Sequence, residues 1–156
     1  MFGIRYSVLG VGYWVFKHET NKRITLKPEI TTRQDISDLV ERFYTRVRED
    51  EIIGPIFRDQ ENFSWDTHIP VMVNFWSSIL LDDASYKGNP MLKHIELNRR
   101  TPLTQLHFRR WKELFFSTLD ELFIGERVGE AKKRVNAMEI LMLMKIRDSE
   151  QSGFIQ

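Results

Sequence analysis

From residue 31 to residue 147 the apolar side chains recur every three or four positions, and that period commits the chain to packed amphipathic helices. Ile36, Leu39, Val40, Phe43 and Val47 mark a first helix, capped by Thr31 or Thr32 and stopped at Gly54-Pro55. A loop then runs to Ser64 or Asp66, either of which can cap a second helix over roughly 66 to 81. His68, Met72, Phe75, Trp76 and Ile79 share one face of it, while Ile69, Val73 and Leu80 form another apolar row, so this helix is expected to be covered on two sides. Asn89-Pro90 supplies a cap and a first-turn proline for a short helix bearing His94. Beyond Pro102, a long helix over about 104 to 123 carries Leu103, His107, Trp111, Leu114, Phe115, Thr118 and Leu122 on or beside one stripe. Gly125 closes it, and a last helix over about 127 to 147 aligns Val128, Ala131, Val135, Met138, Met142 and Ile146. No repeat or strand pattern follows Thr31, so the fold class is all-α with about five helices.

The 156 residues correspond to one domain. Residues 31–149 are read as that domain, 1–30 as an N-terminal extension and 150–156 as a tail. The stretch Phe2 to Phe16 is apolar, but Arg5, Tyr6, Ser7 and glycines interrupt it, and it falls short of the roughly 20 residues of a membrane span. Its Lys and His follow the apolar run, the reverse of signal-peptide order, so a cytoplasmic protein is expected. Val8, Val11, Tyr13, Trp14, Val15 and Phe16 are β-like in type, which leaves a peripheral strand, a disordered arm or a start codon assigned too early. Basic and acidic side chains number 23 and 22 and are interspersed, which argues against a nucleic-acid-binding face. With no cysteine, thiolate metal sites, iron–sulfur clusters and cysteine nucleophiles are excluded.

Histidine is then the natural ligand for any transition metal. His18, in the N-terminal stretch, reads as solvated, and His107, on the Trp111 stripe, as a satisfied core residue. His68 occupies the middle of an apolar face, and His94 sits on a short helix flanked by Met91, Ile95 and Leu97. Each is compatible with either a plain core role or a ligand. Neither the i, i+4 pairing of a helical zinc site nor the Glu-x-x-His of di-iron bundles is present, so a non-haem metal centre has no support. Two separated histidines suit a cofactor that brings most of its own ligands, and a porphyrin needs one or two from protein plus a flat apolar slot. The 12% aromatic content can line such a slot or fill an ordinary core. Tyr44, at the edge of the first helix's stripe, can bury its ring while its hydroxyl meets a cavity, or can be a rim tyrosine.

Four ordered blocks resemble the group III truncated haemoglobins of bacteria: FYTRVREDEIIGPIF at 43–57, WDTHIPVMVNFWSSILL at 65–81, YKGNPMLKHIEL at 86–97 and HFRRWKELFFSTLDELFIG at 107–125. The resemblance implies a shortened globin fold in which two helix pairs sandwich a haem b. It implies His94 as the proximal iron ligand, with Tyr44, His68 as distal histidine and Trp111 on the side where gases bind. Phe43, Phe57, Met72, Phe75 and Trp76 are carried over as lining of the haem cavity. The N-terminal stretch has no counterpart in the family at this length.

On this reading the ligands are diatomic gases, namely oxygen, nitric oxide and carbon monoxide. A gas that draws negative charge onto itself would be held by the Tyr44 hydroxyl, the Trp111 indole N–H and His68, each worth roughly 1 kcal/mol or more. Slow release then favours chemistry on the gas, such as oxidising nitric oxide to nitrate or handling peroxide, over transport. His68 could swing aside as a gate, bond to the ligand or bind the iron, and the gate is the preferred reading. Arg99 and Arg100 are candidate partners of the haem propionates. A nitric-oxide dioxygenase or peroxidase would add turnover and a reductase partner, whereas a haem-free helical interaction module would be colourless even with haemin added. A monomer is expected.

Overall fold

Thr32 starts the first helix because its neighbours can satisfy one another locally. The Thr32 side chain accepts from the Asp35 N–H, and the Asp35 carboxylate accepts from the Thr32 N–H at 2.7 Å, which defines helix α1, Arg33–Glu49. The computed structural model describes residues 4–8, 11–15, 27–61 and 63–151. Within them a hairpin of β1 (Ile4–Val8) and β2 (Val11–Val15), paired antiparallel with Ile4 opposite Val15, precedes the helices. His18 and the tail beyond residue 151 lie outside the described residues.

Helix α1 ends before the Gly54-Pro55 stop that the sequence suggests. Asp50 caps it, and the Asp50 carboxylate accepts the N–H groups of Ile52 and Ile53 at 3.0 Å each, turning the chain directly into α2, Gly54–Arg58. Gly54-Pro55 therefore opens a short helix, where a stop was expected. Proline suits a first turn because the N–H it lacks has no helical partner there. Helix α3 (Trp65–Leu80) runs through Pro70, and α4 (Pro90–Asn98) begins where Asn89 accepts from the Leu92 N–H at 3.0 Å. Helices α5 (Gln105–Leu122) and α6 (Glu126–Gln151) complete six, one more than expected, the addition being the five-residue α2.

Helix α1 packs on α3 and on α5, α3 and α5 each pack on α6, and α4 lies on α6. Ile36, Leu39, Val40, Phe43 and Val47 of α1 are buried to 1% exposure or less, as their spacing requires. A stack of rings crosses the core: Trp76 lies 4.6 Å from Phe115, and Phe115 lies 4.9 Å from Trp111, both nearly parallel. Ile30 is also fully buried, although it precedes the helical period. Its segment is latched to the far corner of the fold, since Ile124 N–H donates to the Pro28 carbonyl and Arg127 donates to the Ile30 carbonyl at 3.0 Å each. Gly125 at that corner adopts φ of 98°, and a Cβ there would lie 2.9 Å from the Glu29 side chain.

Candidate functional site

Between α3 and α4 the helices part to leave a cavity of about 680 Å³, whose wall is predominantly apolar and aromatic. That volume falls within the range of roughly 300–1,000 Å³ that suits a small molecule or cofactor.

His94 reaches this cavity from α4. Its Nδ1 lies 2.7 Å from the Pro90 carbonyl, one helical turn back. A carbonyl can only accept, so Nδ1 carries the proton and Nε2 presents its lone pair. The ring is thus held in the tautomer and orientation of an imidazole ready to bind a metal. Burial favours the neutral form and lowers its pKa, outweighing the upward pull of the Pro90 hydrogen bond.

His68 reaches the same cavity from α3. Its Nε2 is buried and has no hydrogen-bond partner. Burial, reinforced by the charge of nearby His94, lowers its pKa to about 4. A buried nitrogen without a partner is costly in a filled core and is what a missing ligand would leave behind. The two imidazoles, an apolar wall and that orphaned atom fit a flat cofactor ligated by His94.

Tyr44 is 3% exposed, and its hydroxyl accepts from the Trp111 indole N–H, which opposes the strong upward push of burial on its pKa. With Trp111 donating to it, the Tyr44 O–H remains available to donate into the cavity. Trp111, expected as a donor to the ligand, lines the same cavity beside Tyr44.

Tyr44, His68, Trp111, His94, Phe57, Met72, Phe75 and Trp76 all contribute to the cavity wall. Phe43 stands one layer back, edge-on to Tyr44 at 4.7 Å and to Trp111 at 4.9 Å, where it braces the wall without lining it. Arg99 and Arg100 are exposed at the end of α4 and lie off the wall, while Lys87 and Lys93 are the exposed bases on its rim. The sequence reading missed Leu97, Leu103, Phe108, Met138 and Met142 as lining. It also missed His107 there, whose Nδ1 accepts from the Thr104 N–H at 3.1 Å as a helix cap, and the Lys112–Glu139 ion pair that joins α5 to α6. The apolar positions had been recognised only as helix faces, which cannot say whether a face meets protein or space.

A helical fold with an imidazole poised at a flat, apolar slot is the arrangement of a globin, and the comparisons agree. A family model of bacterial-like globins matches residues 25–145. A group 3 truncated hemoglobin of Campylobacter jejuni subsp. jejuni is 35% identical over 104 residues, which cover 65% of this chain and 80% of the relative. The crystal structure of a group III truncated hemoglobin from Campylobacter jejuni superposes with a TM-score of 0.69 at 29% identity, covering 78% of this chain and 95% of that one. The chain belongs to the bacterial-like globin family, and within it to the group III truncated haemoglobins. It is a haem-binding globin.

Proposed function

We propose that the chain would hold one haem b through His94 and bind oxygen, nitric oxide or carbon monoxide beside Tyr44 and His68. The observation that carries this reading is the hydrogen bond from His94 Nδ1–H to the Pro90 carbonyl, which leaves Nε2 as an unprotonated base at the cavity. When bound, haem would supply the metal at which a gas is held. The remainder of the work falls to the chain's own side chains. Pro90 keeps the His94 ring from rotating, Met72, Phe75 and Phe57 exclude water, and the Tyr44 hydroxyl, polarised by Trp111, offers a proton donor to a gas that gathers negative charge. Lys87 and Lys93, exposed on the rim, are better placed than Arg99 and Arg100 for the two carboxylates of haem.

A donor fixed inside a dry pocket slows departure of the gas. That supports retention for chemistry, such as conversion of nitric oxide to nitrate or handling of peroxide with a reductase as electron source, in preference to transport. Among the described residues no helix is long and apolar enough to cross a membrane, and we place the protein in the cytoplasm.

Absorption spectra of the ferric, ferrous and carbonyl forms test the reading directly. Wild-type protein should show a Soret band that shifts on reduction and again on adding carbon monoxide. His94→Ala should lose most bound haem or regain its wild-type spectrum only when imidazole is added. A wild-type chain that stays colourless after haemin is added would instead support a haem-free interaction module.

A further inference from the structure

His68 is held in place by rings. Its imidazole centroid lies 4.9 Å from Tyr44, 5.2 Å from Phe63, 5.8 Å from Phe57 and 6.0 Å from Trp65. Trp65 ties this enclosure together. It stacks on Phe57 at 5.2 Å, meets Phe63 edge-on at 4.8 Å and Tyr44 at 5.6 Å, and carries the Arg48 guanidinium 4.5 Å from its centroid. Of these rings it is the one with a cation against it; Trp65 is half-buried, as Phe57 and Phe63 are, and the Arg48 on it is exposed.

The backbone beneath them is one helical bond short. Trp65 is the first residue of α3, Ser64 makes no side-chain cap bond, and Pro70 has no N–H to return to the Asp66 carbonyl. The turn that carries both Trp65 and His68 is closed by the His68 N–H donating to the Ser64 carbonyl at 2.9 Å, and side-chain packing adds to a ladder that lacks the Pro70 bond. With Nε2 of His68 lacking any hydrogen bond, the rings are what restrain the imidazole.

We propose that Trp65 is the positioning residue for His68: it keeps the imidazole turned into the cavity, and passage of a gas past residue 68 waits on movement of Trp65. This rests on the haem reading above. Removal of His68 alone would open the route, but so would removal of Trp65, with His68 still present and now free to take more than one orientation.

The test compares wild type, Trp65→Ala, Trp65→Phe and Arg48→Met as full chains in the ferrous carbonyl form. The readouts are the C–O stretching band, which reports the polar groups beside the ligand, and the rate of carbon monoxide rebinding from solvent after photolysis. Trp65→Ala should split or broaden the band and rebind about fivefold faster, the scale of losing one well-packed aromatic contact. Trp65→Phe, which keeps a ring, should stay near wild type, and Arg48→Met should accelerate rebinding about twofold. A haem-loaded Trp65→Ala with wild-type band and rate overturns the positioning role and leaves the haem reading intact. A wild-type chain that never develops a Soret band overturns both. Should Trp65→Ala fail to fold, wild-type rates in Arg48→Met overturn the proposal by themselves.

Discussion

Tyr44 and Trp111 are coupled, because the indole N–H of the second acts on the hydroxyl of the first. A donor that is itself hydrogen-bonded donates more strongly, so Trp111 influences a gas ligand through Tyr44. Tyr44→Phe should speed oxygen dissociation about tenfold, equivalent to losing one charge-assisted hydrogen bond. Trp111→Phe should speed it less, and the double variant should be no faster than Tyr44→Phe, a non-additivity measurable by stopped flow. Equal, additive effects would mean two independent donors.

His68 makes a prediction for the haem-free protein. Burial first, and the charge of His94 second, lower its pKa from 6.5 to about 4. Between those values the unfolded chain binds a proton that the folded chain refuses, so stability is full above pH 6.5 and falls as pH drops towards 4. Urea titrations across that window should show the decline, and His68→Phe should make it shallower, leaving the part that buried His94 contributes. A wild-type midpoint that is level from pH 7 to pH 5 would show that residue 68 is not buried in this way.

The corner between α1 and α2 depends on one side chain. Asp50, whose side chain is 5% exposed, takes two backbone N–H groups with one oxygen and the Arg110 Nε at 2.7 Å with the other, tying α1, α2 and α5 together. Burial alone would raise its pKa, but the hydrogen bonds from Ile53, Arg110 and Ile52 outweigh this and hold it below the usual carboxylate range. Asp50→Ala should cost about 2–3 kcal/mol by chemical denaturation, since one buried and one part-buried N–H group lose their acceptor and Arg110 loses its partner. Arg110→Ala should cost less, because its own side chain is partly solvated. This corner was also where the sequence misled. Helix α2 is too short to display a period, so Gly54-Pro55 read as an ending when, with Asp50 closing α1 upstream, it serves as a beginning. The longer helices were legible because each turn repeats the same evidence, and Asn89-Pro90 was legible because cap and proline agree.

At the scale of the whole molecule, legibility followed chain distance. His68 could be singled out because a polar group in the middle of an apolar face is anomalous wherever it occurs, while Tyr44 and His94 were candidates whose roles the family resemblance implied. Met138 and Met142 could not, since an apolar residue on an apolar face looks the same whether it meets Phe115 or an empty slot. Arg99 and Arg100 form a basic pair near His94 in the chain, whereas the exposed bases on the cavity wall are Lys87 and Lys93, which only the three-dimensional path shows.

The link between residues 28–30 and the α5–α6 corner bears on where this protein can be cut. Ile30 contributes a fully buried side chain, and its strand-like segment exchanges hydrogen bonds with Ile124 and Arg127, nearly a hundred residues away. An expression product begun at Thr31 would keep every helix yet lose that plug, with a loss of about 3 kcal/mol from the exposed pocket and unmatched donors. One begun at Lys27 should melt close to the full-length protein. Calorimetry of the two shortened products would show whether the foldable unit begins with its first helix or with the short clasp ahead of it.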